Sequence, residues 1–472
     1  MHLIYNSASF TIVAADGFDA SYGLRGLEGL TAARKHPQEL IPLPESERMA
    51  MYHPSQQYQK CQDRGAYQTR AWTFQEYHFS IRRLVFNMNA VEWHCENGQM
   101  HEDVIGKVPK YFAMNPLLSL RATVPRELAT AMPTPDSLAD IVNAFNGRKL
   151  SFPEDALPAF AGIQSLLEQF YQPGFLYGIL EFWFELALFW SPDGTLNRRR
   201  ASSLKYSGRS AYQLPSWSWI GWTGPISFPG RQFSERLASN GDSFTEPVTT
   251  WCTLAYPTSS AQRPINTEWH RYRSEAIEGR LVTLPEGWKR ESLQDRGTVF
   301  KHTRSRHLEY SYPFPVPDPS HASGSVSVAQ TAFLTAQTSR AFLRGVYKHG
   351  NKHTEAMVLR ERYPAWVISS QGQYVGYLRL NNEEEQSLFK HTGSNSSSSH
   401  PLELVAISKG ITVNFLLPGI DSNECEKHAT DCIYVLWIEW EDGVAYRRAC
   451  GIVTAEAWEQ EREKELVDLI LG

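Results

Sequence analysis

Short apolar runs alternate with turn-forming residues along the first part of the chain. The run from Phe10 to Ala15 is partly β-branched and precedes Asp16-Gly17, which predicts a buried strand that ends in a turn. Beyond Thr73, apolar side chains recur at helical spacing, at Phe74, Tyr77, Ile81 and Leu84. Residues 84–86 and 91–93 then predict two paired strands. The predicted order is strand, loop, helix and hairpin.

The middle of the chain, from about residue 136 to 190, has apolar positions spaced as on helices. We predict helices near 138–145 and over 156–167. The aromatic-rich run from Phe175 to Trp190 is shorter than the roughly 20 residues that span a bilayer, and it contains Glu181 and Glu185. We therefore predict a buried helix there, with both glutamates at its polar edge, and no membrane span.

Beyond Trp222, β-branched and aromatic residues dominate and predict strands. The predicted strands are 333–343, 365–368, 374–380, 402–407 and 433–440. The last segment, Val453 to Leu471, has a spacing typical of a terminal helix. The fold class is therefore α+β, in three segments: 1–110, a helical region over 111–222, and a β-rich region over 223–472.

The charge balance limits the classes of partner. The chain has 46 basic and 51 acidic side chains, a formal charge of −5, so we predict no nucleic-acid binding. The run Arg198-Arg199-Arg200 is predicted to lie in a solvated loop. The six cysteines are widely scattered, which favours reduced thiols and a cytoplasmic location.

The remaining motifs predict structure rather than chemistry. Glycines at 23, 26 and 29 do not match a phosphate-binding pattern and indicate a turn-rich loop. The groups Cys425/His428/Cys432 and His94/Cys95/His101 lack the paired arms of a metal site. The alternating tryptophans Trp217, Trp219 and Trp222 are predicted to pack in a core. We predict no metal and no bound cofactor.

One motif is specific. The run from Arg70 to Glu76, RAWTFQE, resembles the R-x-W-T-x-Q-E signature of the fungal heterokaryon-incompatibility (HET) domain. Upstream, Ile4 to Ala8, Thr11 to Ala14 and Gly23 to Leu27 resemble further HET blocks in the same order. The segment from Leu214 to Trp219, LPSWSW, resembles a marker of the region that follows HET domains. The opening Y-x-W-G-like and I-D-x-x-C-I-N-Q-like blocks are absent, so we expect the second half of a HET domain.

This resemblance implies a function. HET domains have been compared with Toll/interleukin-1 receptor (TIR) domains, so the first segment is expected to be a truncated TIR-like α/β remnant. In enzymatic TIR domains a W-x-x-x-E pattern supplies the glutamate that cleaves NAD, which makes Glu76 the candidate catalytic residue and Trp72 a candidate for lining the nucleotide pocket. NAD would be the substrate. The family context implies self/non-self recognition, regulated cell death, and a protein partner or self-association.

Two alternatives stay open from the residues themselves. Thr73-Phe74-Gln75-Glu76 also fits the S/T-x-x-E capping box, in which Thr73 and Glu76 bond backbone amides and need no substrate. At the level of the whole protein, the alternative is a non-enzymatic recognition or scaffold protein with a degenerate HET domain. Loss of the opening strand would also leave a parallel sheet with an uncovered edge.

Overall fold

The computed structural model divides into two compact units. Unit 1 comprises residues 1–130, 147–151 and 158–163, and unit 2 comprises 131–146, 152–157 and 164–472. The predicted three-segment division at 110 and 222 stays a prediction. The structure describes residues 2–17, 19–33, 39–42, 48–51, 66–87, 90–95, 98–102, 135–169, 174–200, 214–228, 245–265, 272, 275–276, 278–281, 283–293, 297–303, 312, 314–316, 329–347, 363–390, 399–413, 417 and 429–472.

Unit 1 is a small α/β unit that contains the predicted strand, helix and hairpin in that order, together with two helices and three strands that the sequence analysis did not predict. Its helices are α1 (His2–Ser7), α2 (Ala66–Thr69) and α3 (Trp72–Phe79), with a 3₁₀ turn at Ala20–Tyr22. Its strands are β1 (Thr11–Ala14), β2 (Glu39–Pro42), β3 (Arg48–Met51), β4 (Arg83–Asn87), β5 (Ala90–Cys95) and β6 (Gly98–His101). Gly23, Gly26 and Gly29 all have positive φ, so the predicted turn-rich loop is confirmed.

Four strands of unit 1 form a sheet in the order β1-β4-β5-β6. β1 runs parallel to β4, with Val13 opposite Val85, and the β4–β5 pair is an antiparallel hairpin. The strand at 10–15 is therefore confirmed, but it lies at an edge of this sheet, and Ile12 is 54 % exposed. Val13, Ala15 and Val85 form the core, against which Tyr67 and Tyr77 pack.

Unit 2 begins with the predicted helices. These are α4 (Pro135–Asn146) and α5 (Ala156–Leu167), preceded by a 3₁₀ turn at Pro153–Asp155; residues 158–163 of α5 belong to unit 1. The helix predicted over 175–190 is wrong. That segment is a hairpin, β7 (Phe175–Leu176) and β8 (Ile179–Leu180), then a 3₁₀ turn at Glu181–Trp183 and the short α6 (Phe184–Leu188). Tyr177 and Gly178 have positive φ, which ends any helix and forms the hairpin turn.

The rest of unit 2 is mostly β, as predicted. The short strands are β9 (Ser191–Pro192), β10 (Asn197–Arg198), β11 (Trp222–Thr223), β12 (Ile226–Ser227), β13 (Thr245–Pro247), β14 (Cys252–Leu254), β15 (Gln262–Pro264), β16 (Trp288–Leu293) and β17 (Gly297–His302). The longer elements are β18 (Phe333–Val346), β19 (Pro364–Ile368), β20 (Tyr374–Arg379), α7 (Glu383–Lys390), β21 (His400–Val413), β22 (Ala429–Glu441), β23 (Val444–Thr454), α8 (Ala455–Gln460) and β24 (Glu465–Leu471). A 3₁₀ turn at Trp219–Gly221 follows the LPSWSW segment. All five predicted strands are present.

Six of these strands pair in a closed ring. The order β18-β21-β22-β23-β20-β19 returns to β18, because β18 pairs with both β19 and β21. The inside is apolar, with Leu404, Val435 and Trp437 in its core cluster. The terminal helix predicted over 453–471 is wrong beyond residue 460, since β24 pairs there with β18 along seven residues. That ladder satisfies the backbone groups of a segment whose own spacing favours a helix.

Two predictions about charged side chains of unit 2 are corrected, and one about its tryptophans is confirmed. Arg199 is buried and donates to the Trp222 and Asn146 carbonyls, and Arg198 donates to the Gly221 carbonyl at 2.6 Å, so these two arginines are not solvated. Glu181 and Glu185 are 0 % exposed rather than at a polar edge. The Trp217, Trp219 and Trp222 side chains are buried, which confirms core packing.

Two further observations concern cysteines and membrane spans. Within the described residues, Cys95, Cys252, Cys432 and Cys450 are not in disulfide bonds, which agrees with the predicted reduced thiols; the positions 61 and 425 lie outside the described residues. No helix in the described part of the chain is long and apolar enough to cross a membrane.

Candidate functional site

The site is centred on α3 of unit 1, whose first turn is not capped as predicted. The N-cap residue is Ala71, which makes no side-chain cap bond, and Thr73 lies inside the helix. Its hydroxyl donates to the carbonyls of Tyr67 and Arg70, the latter at 2.7 Å. The capping-box interpretation of Thr73 and Glu76 is therefore wrong, because the Thr73 hydroxyl ties α3 to the preceding turn instead.

The segment before α3 is held by a second piece of unit 1. The Ala71 amide donates to the Lys149 carbonyl at 2.9 Å, and the Lys149 amide donates to Thr69 at 2.6 Å. The Arg148 guanidinium donates to the Thr73 hydroxyl at 3.2 Å and lies over the Phe74 ring. These bonds fix the start of the helix from residues far away in the sequence, so the local motif alone does not determine the geometry.

Glu76 is half-buried on α3. Burial raises the pKa of its carboxyl, and the nearby positive charge of Arg70 only partly opposes that shift. No hydrogen bond to the Glu76 carboxylate is formed within the described part of the chain. The Glu76 carboxylate is partly removed from water and does not bond the backbone amides at the start of the helix. Its charge can therefore interact with a ligand.

Two tyrosines lie within electrostatic range of Glu76. Burial and the Glu76 charge raise the pKa of Tyr5, which lies on α1. The same two causes raise the pKa of Tyr67, with Tyr77 and Tyr5 adding to the shift and Arg148 opposing it. The Tyr67 hydroxyl is buried and has no hydrogen-bond partner among the described residues. A buried hydroxyl of this kind marks a place where a ligand or water would complete the bonding.

Trp72, the second predicted site residue, is half-exposed at the start of α3. It precedes Glu76 by four residues, and positions four apart lie on the same helix face. The helix therefore carries the Trp72 side chain and the half-buried Glu76 carboxyl on one face, one turn apart. Their roles toward a ligand stay predictions.

A further cluster of unit 1 escaped sequence analysis. His94 Nε2 lies 2.7 Å from Glu92 Oε2, and His94 Nδ1 lies 3.2 Å from the Tyr77 hydroxyl. No group of three or more His, Cys, Asp or Glu side chains that could hold a metal ion occurs in the described ranges, and the side chain of His101 lies outside them. The sequence signal for the Tyr77–His94–Glu92 cluster is the two-residue spacing of Glu92 and His94, which places both side chains on the same face of β5.

The comparisons with known proteins bear on this same segment. Residues 1–76 match the family model described as heterokaryon incompatibility protein (HET). The segment is therefore similar to a HET domain over 76 of the 472 residues. Searches of curated proteins and of solved structures give no match. The HET match includes Tyr5, Tyr67, Trp72 and Glu76, and it ends at Glu76, so Tyr77 and the β4–β5 hairpin lie beyond it.

Proposed function

We propose that this chain is a HET-type effector of fungal self/non-self recognition, and that its HET segment cleaves the bond between nicotinamide and ribose in NAD. The observation that carries the proposal is the state of Glu76. Its carboxyl is half-buried with a raised pKa, and the capping bond that offered a purely structural role is absent. The TIR-like comparison supplies the reaction, and no bound cofactor is needed.

The chemistry follows from charge. As the bond from nicotinamide to C1′ breaks, positive charge develops on the ribose, and nicotinamide leaves as a neutral molecule with the electron pair. A carboxylate that is partly shielded from water stabilises such a cation more than a fully solvated one, because the local dielectric constant is lower. Glu76 takes this role, and Trp72 lines the nucleotide pocket.

At the level of the cell, the proposal makes toxicity a consequence of NAD loss. Association with a protein partner, or with a second copy, brings HET segments together in the cytoplasm, and cell death follows. The scaffold alternative assigns partner binding to the chain and no chemistry to Glu76. The two hypotheses therefore differ in what a change confined to the Glu76 carboxylate does.

The test is nicotinamide release from NAD by the full chain at high protein concentration. Glu76→Gln keeps the size of the side chain and removes the charge, and should lower the rate about 100-fold. Glu28→Gln is the matched control, since Glu28 is an exposed carboxylate of the same HET segment and should leave the rate unchanged. Release that is equal in Glu76→Gln and the unchanged chain, or absent from both, contradicts the proposal and favours the scaffold.

A further inference from the structure

The Tyr77 phenol is bonded to a buried histidine and carboxylate pair. Glu92 and His94 are 5 % and 2 % exposed, and they lie two residues apart on β5, so both side chains project from the same face of the sheet. Tyr77 comes from α3 and packs on the core of that sheet. The three groups form a hydrogen-bonded chain that begins at Tyr77 on α3, the helix that also carries Glu76, and continues through His94 to Glu92 on β5.

The bonding pattern assigns the protons. A carboxylate only accepts, so His94 Nε2 donates to Glu92 Oε2, and we assign His94 the tautomer with its one proton on Nε2. Nδ1 is then the acceptor, and the Tyr77 hydroxyl donates to it. This is the arrangement in which an imidazole, oriented by a carboxylate, takes a proton from a hydroxyl group.

A buried cation lies against the Tyr77 ring. Buried Arg83 lies over its ring, with the guanidinium carbon 4.3 Å from the centroid, and donates to the Tyr77 and Ser80 carbonyls. A fixed cation at this distance stabilises a phenolate. His78, whose ring lies edge-on to Tyr77, has a pKa held well below its usual value by burial and by Arg148 and Arg83, so it stays neutral.

Tyr67 connects this cluster to the candidate site. Its buried hydroxyl has no hydrogen-bond partner among the described residues. Burial raises the pKa of Tyr67 and the Glu76 charge adds to that shift, and Tyr67 and Tyr77 pack on the same core. Glu76 and Tyr77 are consecutive residues of α3, and Tyr67 packs on the same core as Tyr77, so the candidate carboxylate and the Tyr77 phenol belong to one helix of unit 1.

We propose that Tyr77, His94 and Glu92 form a proton relay in which Tyr77 is the general base of the Glu76 site. The proposal rests on the NAD-cleaving function for its substrate. Once nicotinamide has left, the oxygen of a water molecule bonds to C1′, and the water proton passes to the Tyr77 oxygen as the phenol proton moves to His94 Nδ1. The products are ADP-ribose, nicotinamide and one proton. His94 and Glu92 act through Tyr77 and are positioning residues.

The first test needs no NAD. An arylsulfonyl fluoride, p-toluenesulfonyl fluoride, labels an activated phenol: the oxygen–sulfur bond forms, fluoride leaves, and the phenol proton goes to His94. Peptide mass spectrometry should find Tyr77 labelled at least ten times faster in the unchanged chain than in His94→Gln. Tyr22 is the internal control, since Arg25 lies 4.4 Å over its ring and it should label equally in both chains. Equal Tyr77 rates, or no labelling of Tyr77, overturn the relay.

The Glu92→Gln variant tests whether Glu92 orients His94 for proton transfer or only stabilises the fold. Without the carboxylate, His94 is a weaker base, so the pH profile of Tyr77 labelling should move to higher pH, and Glu92→Asp should restore part of the original profile. Arg83, Tyr67, His78 and the adjacent Glu76 are further charged or titratable groups near Tyr77, and they are common to all variants. Labelling of Tyr22 at the original rate shows that each variant is folded. A profile that does not move counts against the relay.

The second test is NAD cleavage by Tyr77→Phe, which keeps the ring on the core and removes only the oxygen. The rate should fall about tenfold to 100-fold. If labelling supports the relay and no chain releases nicotinamide, the proposed function fails and the relay stands as a proton-transfer site for another substrate. If Glu76→Gln loses activity while Tyr77→Phe keeps it, the proposed function stands and the base assignment is wrong.

Discussion

In the β-rich unit, the buried carboxylate of Glu181 receives hydrogen bonds from both terminal nitrogens of Arg263, at 3.0 and 2.6 Å. In the HET segment, the half-buried Glu76 carboxylate lies near Arg70 without a hydrogen bond in the described part of the chain. Both glutamates are shielded from water, but only Glu181 is fully engaged. The difference shows why burial alone does not identify a functional acid: the partners of the charge decide.

Two buried arginines, Arg447 in unit 2 and Arg83 in unit 1, also differ in what they contact. Arg447 in unit 2 lies 3.7 Å over the Trp190 ring and donates to the Leu188 and Trp190 carbonyls, so it holds backbone segments together. Burial lowers the pKa of Arg447 to about 10. Arg83 in unit 1 also donates to carbonyls, but it lies over a tyrosine that is bonded to a histidine. The same residue type holds backbone segments together in one unit and lies against a hydrogen-bonded phenol in the other.

The largest expected effect comes from removing the partner of the hydrogen-bonded Glu181 carboxylate. Arg263→Met should destabilise unit 2 by about 3 kcal/mol, because it leaves the fully buried Glu181 charge without its partner. The value is at the low end for buried pairs since Arg263 is partly exposed. Urea unfolding measures the loss, and the double variant Arg263→Met/Glu181→Gln should recover most of it. A single variant as stable as the unchanged chain would show that the pair contributes little.

The next largest effect is expected from a change at Trp72, which lies one helical turn before Glu76. Trp72→Ala should raise the KM for NAD about tenfold, roughly 1.4 kcal/mol, with a smaller change in kcat, because a pocket-lining ring binds substrate and transition state alike. Steady-state nicotinamide release measures both constants. Trp72→Phe, which keeps an aromatic ring, is the control and should recover most of the binding. A fall in kcat alone would be the opposite result.

Thr73→Ala tests the corrected role of this hydroxyl. The change removes the bonds to the Tyr67 and Arg70 carbonyls and should cost about 1 kcal/mol of stability in unit 1. Hydrogen exchange of the α3 and α2 amides detects the loss locally. Thr73→Ser keeps the hydroxyl and should show native protection. Faster exchange limited to the first amides of α3, with α2 unaffected, would instead be typical of a lost N-cap.

The smallest effect is a pH dependence. Because the pKa of Glu76 is raised in the folded chain, the folded state holds this proton more tightly than the unfolded state. The resulting stability is fully present below the unfolded pKa, near 4.5, and is lost as pH rises through the raised folded value. Thermal unfolding from pH 4 to 7 should show this fall in the unchanged chain and a flatter curve in Glu76→Gln. Parallel curves would mean that Glu76 is not desolvated.

Much of the strand pattern could be predicted from the sequence. The five strands beyond residue 330 are all found, because β-branched and aromatic residues that alternate with polar ones have few other stable arrangements. The two failures, at 175–190 and 461–471, are apolar segments whose spacing fits a helix. Positive φ at Tyr177 and Gly178 decides the first, and pairing of β24 with β18 decides the second. Neither the positive φ values nor the pairing of β24 changes the spacing of apolar residues, so the sequence pattern does not reveal them.

The candidate site was only half visible in the sequence. The RAWTFQE motif points to Trp72 and Glu76, and the family match ends at that glutamate. The Tyr77–His94–Glu92 line depends on a helix that crosses a strand 17 residues further on, so no motif spacing reveals it. The two tyrosines near Glu76, Tyr5 and Tyr67, come from different helices and share no pattern.

The sequence by itself determined the α+β class, the order of the first elements and the HET segment, because these depend on contacts between near neighbours and on a contiguous motif. Only the tertiary structure decided which polar groups are engaged. Arg263 reaches Glu181 across 82 positions, and Arg148 reaches Thr73 across 75. The state of a buried charge depends on what the fold places beside it, and chain neighbours rarely supply that partner.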